Sequence, residues 1–258
     1  MQVSHSRIST FVKCPYQYKL KYIDKLETLP NDDPQNGLIV GHALHTGIEK
    51  DLDAAIKEYY NGYPVINDLH VNEAMKLEYW IPKIKDLLPK NGLHEVKLID
   101  SDYIGFIDYL APVELPFDHE YEMYDLYDFK YSNNISSYLE SEQLHLYKYY
   151  FEKLNPTKKI RKMYFMFVPK CNLRIKYQNK TNPRDETLYE FRQRILADLD
   201  QKKIEFVEVE YNANKVIDFL TNSKHAIEAT EFTKQETKLC DWCEYQKYCQ
   251  EGIDYEII

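Results

Sequence analysis

The sequence predicts a mixed α/β fold, in which a central mixed β-sheet is flanked by helices. Three observations support it: residues 1–90 carry apolar side chains at helical spacing, the middle of the chain changes to short apolar runs typical of strands, and strand-like and helix-like runs then alternate. A chain of 258 residues with 44% apolar composition can form one domain. We expect a single domain, with a helical part (1–90), an α/β core (91–235) and a cysteine-bearing tail (236–258).

The N-terminal part should form three helices. The first covers residues 6–23, where Ser6 is a suitable cap and Pro15 should bend or split the helix. A loop at 29–35 follows, with two prolines and consecutive aspartates. The second helix begins at Gly41 and has apolar residues at every fourth position, namely Leu44, Ile48, Leu52 and Ile56. The third covers 72–88, and Pro82 could bend it.

The rest of the chain mixes strands and helices. The predicted strands are 96–99, 103–110, 124–131, 163–168, 173–177 and 204–211. The predicted helices are 136–153, 185–201 and 215–227. The order favours a sheet with crossover helices.

Composition and charge limit the function. A net charge of −9 argues against a passive nucleic-acid coat protein, which is normally basic, but not against an enzyme with an acidic metal site. One compact basic run could contact a nucleic-acid backbone or form a solvated face; it contains Lys158, Lys159, Arg161 and Lys162. No apolar stretch approaches the ~20 residues that cross a membrane, so we expect a cytoplasmic protein without a membrane partner.

Two carboxylates and a lysine lie on neighbouring predicted strands. Side chains two apart on a strand share a face, so Asp128 and Lys130 should lie together while Phe129 points away. If the strands pair, Asp108 joins Asp128 and the two can bind one hard divalent cation. Such a cation can activate water and stabilise a departing alkoxide, and Lys130 can stabilise charge on a phosphate. The same residues could instead form an ordinary surface ion pair.

Three further side chains could complete that site. Gln143 and Tyr147 share a helix face, where Gln143 could bind a water or phosphate and Tyr147 could contact a nucleic acid. His45 lies at the edge of an apolar helix stripe, positioned to face a cleft, and imidazole is a good ligand for manganese. Each could also be purely structural.

Four of the five cysteines could hold one centre. Cys240, Cys243 and Cys249 lie close together in the tail, and Cys14 could be the fourth ligand from the other end of the chain. Their spacing suits zinc as well as an iron–sulfur cluster. Cys171, between two predicted strands, should be an inert buried thiol.

The order of these motifs resembles the RecB-like branch of the PD-(D/E)XK nucleases, which includes CRISPR adaptation nucleases and the nuclease domains of RecBCD and AddAB. The matching elements are the glycine-led helix with His45, Gly105 to Asp108, Asp128-Phe129-Lys130 and Gln143 with Tyr147. The resemblance runs from Ser6 to Cys249. The sequence departs from the pattern in a longer, acidic hairpin after Asp108, which includes Glu114, Asp118 and Glu120.

The resemblance implies a restriction-endonuclease-like core and a role for each residue. His45, Asp108, Asp128 and the Phe129 carbonyl would bind Mn²⁺ or Mg²⁺, and Lys130 would be the catalytic lysine. Gln143 and Tyr147 would belong to the motif that follows, and Glu95 matches an acidic position before the first aspartate. The resemblance also implies a structural [4Fe–4S] cluster that joins the two ends of the chain; its ligands would be Cys14, Cys240, Cys243 and Cys249.

The implied function is metal-dependent cleavage of DNA, as an exonuclease on single strands or ends. None of the seven glycines begins a phosphate-binding loop of nucleotide hydrolases, so any unwinding would need a partner such as a helicase, a recombinase or a CRISPR integrase. The alternatives are a catalytically silent nucleic-acid-binding or assembly subunit and a zinc-stabilised protein of unrelated function.

Overall fold

The fold comes from a computed structural model, which describes residues 2–28, 32–115, 120–179, 181 and 184–251. Parts of the predicted 29–35 loop, Asp118 of the acidic hairpin and residues 252–258 of the tail lie outside the described residues.

The first predicted helix is split near Pro15, as expected. Helix α1 spans His5–Lys13, helix α2 spans Pro15–Tyr18, and a wider helical turn continues over Lys19–Ile23. Ser4, not Ser6, caps α1, since its hydroxyl accepts a hydrogen bond from the Arg7 N–H. Cys14 has an extended backbone between the two helices, so proline occupies the first turn of α2, where its missing N–H costs nothing.

The predicted helix from Gly41 is wrong as a single element. Helix α3 spans Gly37–Glu49 and helix α4 spans Leu52–Asn61. The break is at Asp51, whose carboxylate accepts a hydrogen bond from the Ala54 N–H and starts a new helix. The next helix, α5, spans Asp68–Leu87 and continues through Pro82.

The strands of the described residues form one mixed sheet in the order β1-β2-β3-β4-β5. They are β1 (Leu93–Ile99), β2 (Ile104–Val113), β3 (Glu122–Tyr131), β4 (Lys158–Val168) and β5 (Glu205–Glu208). All neighbouring pairs are antiparallel except β3 and β4, which are parallel. The connection between that parallel pair contains two helices, α6 (Ser136–Leu139) and α7 (Gln143–Leu154), where the sequence predicted one.

The C-terminal part adds helices α8 (Leu188–Asp200) and α9 (Ala213–Glu228), a short 3₁₀ turn (Lys238–Trp242) and α10 (Gln246–Glu251). The strand predicted at 173–177 is absent from the described residues. Its apolar residues Leu173 and Ile175 instead pack on the core beside the sheet. Because β4 already pairs with β3 and β5, it has no free edge for another strand.

Helices cover both faces of the sheet, each over its own apolar core. Residues from α3, α4, α5 and α8 pack against one face, which includes Tyr127 and Phe129 of β3. Residues from α1, α2, α7 and α9 pack against the other face, which includes Leu126 of β3. Alternation along β3 therefore directs Asp128 and Lys130 towards the α1 and α7 side.

Candidate metal centre and active site

Three carboxylates occupy neighbouring positions across β1, β2 and β3. In the register of β1 and β2, His94 pairs with Tyr109 and Val96 pairs with Ile107. Glu95, which lies between His94 and Val96, is therefore opposite Asp108. The register of β2 and β3 pairs Tyr109 with Tyr127, and its continuation by one residue sets Asp108 opposite Asp128. The sheet therefore brings together three carboxylates that span 33 residues of the sequence, from Glu95 to Asp128.

Glu95 interrupts its strand. Its φ of 49° lies in the left-handed region, which is uncommon for residues other than glycine and costs free energy. The ladder between β1 and β2 skips Glu95 while continuing on both sides of it. Glu95 is the point at which the edge strand β1 departs from regular pairing, beside the carboxylate of Asp108.

His45 of α3 completes a group of possible ligands. Its Nδ1 lies 3.5 Å from Oδ1 of Asp108 and 3.9 Å from Oε1 of Glu95. Ligand atoms of these three residues lie within 4.8 Å of one another. One imidazole and two carboxylates suit a divalent cation such as manganese.

Asp128 is completely buried. Among the described residues, neither of its oxygens accepts a hydrogen bond of normal geometry, although Nζ of Lys130 lies 2.6 Å from Oδ2. Buried carboxylates normally have several donors, because leaving an acceptor unpaired costs about 1 to 3 kcal/mol. Asp128 therefore has oxygens available for a cation, which fits a metal ligand.

The backbone of Phe129 lies among the ligands. Its N–H donates a 2.7 Å hydrogen bond to Oδ2 of Asp108, and the edge of its ring contacts His45 with 5.7 Å between ring centres. These contacts fix the Asp108 carboxylate and the imidazole relative to β3. The Phe129 carbonyl stays a prediction as a ligand.

The electrostatics of the site reflect crowded negative charge. Burial raises the pKa of Asp108, and the nearby charge of Asp128 raises it further. Burial opposes protonation of His45, but Asp108, Glu95 and Asp128 outweigh it and raise the pKa of His45 to about 9. Without a metal, the site therefore retains positive charge to balance its carboxylates.

A hydrogen-bonded chain leads from Lys130 into α7. Nζ of Lys130 donates to Oε1 of Gln143 at 2.9 Å, and Nε2 of Gln143 donates to the Tyr147 hydroxyl at 2.8 Å. Both ends of the Gln143 amide are therefore occupied by protein groups. Burial lowers the pKa of Lys130, but the charges of Asp128 and Asp108 outweigh burial, so the pKa is raised overall.

Tyr147 lies at the end of this chain. Its side chain is 6% exposed and lines the same cleft as Asp108, and its hydroxyl accepts from Gln143. Tyr147 therefore orients Gln143, and its contact with a nucleic acid stays a prediction. Sequence analysis missed Tyr138 of α6, whose ring centre lies 5.4 Å from Nζ of Lys130. A single helix over 136–153 gave no reason to place Tyr138 near β3.

An open cleft of about 670 Å³ lies in front of the carboxylates. Its lining includes His45, Glu95, Asp108 and Gln143. Gly105 on its wall has no room for a side chain, since a Cβ there would lie 2.5 Å from the Tyr103 hydroxyl. A substrate can therefore approach the carboxylates and His45 from solvent.

The four cysteines predicted as cluster ligands line a different cavity, of about 390 Å³. They are Cys14, Cys240, Cys243 and Cys249. Among the described residues, no three of their sulfurs lie within 4.8 Å of one another. A closed tetrahedral zinc site, with Zn–S bonds of about 2.3 Å, needs sulfurs about 4 Å apart. The cysteines share a cavity but are not gathered as close ligands. Cys171 is buried elsewhere.

Each member of the basic run is paired with a carboxylate. The run lies on β4 and not in a loop. The pairs are Lys158 with Glu122, Lys159 with Glu152, Arg161 with Asp125 and Lys162 with Glu208. Surface ion pairs of this kind are weak, so contact of this run with a nucleic-acid backbone stays a prediction.

A mixed sheet that presents carboxylates from adjacent strands, with a lysine two residues after one of them, defines a class of metal-dependent hydrolases of phosphodiester bonds. The chain belongs to the PD-(D/E)XK nuclease superfamily, whose family model matches residues 2–250. Membership implies a hydrolytic nuclease that uses divalent metal ions.

Two solved structures align with the chain. A protein from Eubacterium rectale, provisionally named an exonuclease, aligns with a TM-score of 0.50 at 13% identity over 100% of this chain and 90% of its own. A protein described as SSO0001 aligns with a TM-score of 0.41 at 10% identity over 98% of this chain and 87% of its own. No curated protein matches the chain significantly. In the described part of the chain, no helix is long and apolar enough to cross a membrane.

Proposed function

We propose that this protein is a metal-dependent deoxyribonuclease of the RecB-like branch, which acts as an exonuclease on single strands or DNA ends. The observation that carries the proposal is the row of Glu95, Asp108 and Asp128 across three strands, with Lys130 beside it. The open cleft supports it, because a strand can reach Glu95 and Asp108 of this row from solvent.

Each residue has a distinct part in the proposed reaction. His45, Asp108 and Asp128, together with the Phe129 carbonyl, would hold Mn²⁺ or Mg²⁺, which supplies a Lewis acid for the scissile phosphate and the departing oxygen. Lys130 donates to Gln143 and contacts Asp128, so its ammonium group is fixed in place. It stabilises the charge that builds on the phosphate. Gln143 and Tyr147 hold that lysine in position.

We also propose that the cysteine cavity holds a [4Fe–4S] cluster. The supporting observation is a cavity of about 390 Å³ lined by all four cysteines, which is the number of thiolates that such a cluster needs. Cys14 precedes α2 and the other three lie in the C-terminal segment, so the cluster would connect the two ends of the chain. By analogy with long disulfide loops, such a link contributes about 4 to 5 kcal/mol.

Cleavage of end-labelled single- and double-stranded DNA tests the nuclease proposal. Protein purified without oxygen is assayed with Mn²⁺, with Mg²⁺ and with chelator, and Lys130→Ala is compared with Lys162→Ala as the matched loss of one lysine charge. We expect metal-dependent cutting that Lys130→Ala loses by about 10² to 10³ and Lys162→Ala retains. A folded, metal-loaded protein that cuts no strand would instead support a nucleic-acid-binding subunit.

Metal analysis tests the cluster proposal separately. We expect about four iron atoms and matching sulfide per chain in protein prepared without oxygen. Cys243→Ala should lose them and Cys171→Ala should not, because Cys171 lies outside the cavity. One zinc atom and no iron in the unmodified protein would contradict the proposal.

A further inference from the structure

A second groove joins the active-site cleft on the side of α1. This groove, of about 450 Å³, runs between α1 and the α6 region, and we call it the α1–α6 groove. His5 and Gln143 line both the groove and the cleft that contains Asp108, so the two adjoin where His5 contacts Ser141 and Glu142. Ser9 and Lys13 follow His5 at intervals of four residues on the same face of α1 and line the groove further from the site.

The acidic residues of the groove already have partners. Oε2 of Glu142 lies 3.3 Å from Nε2 of His5, and Oε2 of Glu140 lies 3.3 Å from Nζ of Lys215. Hydrogen bonding to His5 lowers the pKa of Glu142. The Glu140 carboxylate, which is paired with the Lys215 ammonium group, therefore repels an anionic strand less than an unpaired carboxylate would.

Lys13 differs from the basic residues of β4. It is exposed, and among the described residues no carboxylate lies within ion-pair distance of its ammonium group. Opposite α1, the groove is lined by Tyr138 and by two serines, Ser137 and Ser141, whose hydroxyl groups also form hydrogen bonds within the protein. Lysines and serine hydroxyls are common phosphate contacts, and an aromatic ring can stack on a base.

The length of the groove suits a short strand. His5 and Lys13 are eight residues apart on one helix, which corresponds to about 12 Å. At about 3.4 Å for each stacked nucleotide, this distance accommodates roughly three nucleotides.

We propose that the α1–α6 groove binds the single-stranded DNA that extends from the cleavage site, with Lys13 contacting its backbone at the far end. The inference deepens the proposed function and rests on it. The groove would be the surface that the strand follows beyond the metal centre.

Kinetics on oligodeoxythymidylates of about 2 and about 12 nucleotides test the groove. Lys13→Ala is compared with Lys162→Ala, which removes the same charge from β4, and with Lys170→Ala, at the opposite opening beside His45 and Lys130. For the longer oligonucleotide, Lys13→Ala should raise KM several-fold, leave kcat unchanged and reduce the salt slope of binding by about 1. The shorter oligonucleotide should show little change.

The outcomes separate the groove from the nuclease function. If the unmodified protein cuts DNA but Lys13→Ala behaves like Lys162→Ala on both substrates, the groove proposal is wrong and the proposed nuclease function is unaffected. If Lys170→Ala alone raises KM, the strand leaves by the other opening and the groove proposal is again wrong. If the unmodified protein cuts no DNA, the proposed function fails. Fluorescence anisotropy of the labelled longer oligonucleotide then tests whether the groove binds DNA. Loss of affinity in Lys13→Ala alone supports binding in the groove, and equal affinities of all variants overturn it.

Discussion

Nζ of Lys130 lies 2.6 Å from Oδ2 of Asp128, and the Asp128 side chain is completely buried. A buried carboxylate is costly unless a positive charge compensates it. Lys130 supplies that charge from two residues away on the same strand. The pair therefore links the proposed chemistry of the site to the stability of the metal-free protein.

Lys130→Met should destabilise the protein most in the absence of metal. The change removes the charge while keeping an unbranched apolar chain, and it leaves Asp128 unpaired, so we expect a loss of about 3 to 5 kcal/mol in chelator. With saturating Mn²⁺ the loss should be smaller, because the cation compensates the carboxylate. Urea denaturation under both conditions measures the difference, and an equal loss in both would contradict a metal at Asp128.

Asp108→Asn should stabilise the metal-free protein and abolish its activity. Burial and the charge of Asp128 raise the pKa of Asp108, so its ionised form costs stability at neutral pH. The asparagine oxygen can still accept the hydrogen bond from the Phe129 N–H. We expect a gain of about 0.5 to 2 kcal/mol in chelator and a reduced rise of Tm with Mn²⁺. Thermal melts with and without Mn²⁺ check both; an undiminished response to metal would exclude Asp108 as a ligand.

Local patterns predicted those parts of the site that lie on one strand or one helix. The period of two on a strand placed Asp128 and Lys130 on one face and Phe129 on the other, as the structure shows. The helical period did not reveal the break at Asp51, because α4 continues the apolar stripe of α3 on the same core. A capping aspartate within a regular stripe is a weak signal in sequence.

Features that depend on strand register could not be predicted. The partners of Lys158 and Arg161 are Glu122 and Asp125, which become neighbours only when β3 and β4 pair in parallel. The left-handed backbone of Glu95 is equally invisible in a single sequence, since it occurs where the ladder between β1 and β2 is interrupted.

Tyr147→Phe should lower activity less than Gln143→Ala. Removing the hydroxyl takes away the acceptor for Nε2 of Gln143, which loosens the amide but leaves its contact with Lys130 available. Gln143→Ala removes that contact altogether. We expect kcat to fall modestly for the tyrosine variant, by the equivalent of about 1 kcal/mol. Tyr149→Phe, on the same helix, is the control; equal effects of Tyr147→Phe and Tyr149→Phe would argue against a positioning role.

A buried ion pair in α5 should show strong coupling in stability. Nζ of Lys76 lies 2.5 Å from Oε2 of Glu73, both side chains are about 4% exposed, and Lys76 also donates to the Cys171 carbonyl. Lys76→Met leaves a buried carboxylate and should cost about 3 to 5 kcal/mol. Adding Glu73→Leu should restore part of that loss. Urea denaturation of both single variants and the double variant gives the coupling energy, and additive losses would mean that the pair contributes no coupling.

His145 should make the protein less stable in mild acid. Burial lowers the pKa of His145, and Lys215 lowers it further, while the Asn212 N–H donates to Nδ1 and requires that nitrogen to be unprotonated. The unfolded chain therefore binds a proton more readily, so this contribution to stability is complete above about pH 6.5 and is lost as the pH falls through the folded pKa. His145→Gln should remove that part of the pH dependence. Free energies of unfolding at about pH 7.5 and about pH 5.5 test this, since the deficit of the variant relative to the unmodified protein should shrink in acid. A deficit that stays constant would show that His145 does not titrate on unfolding.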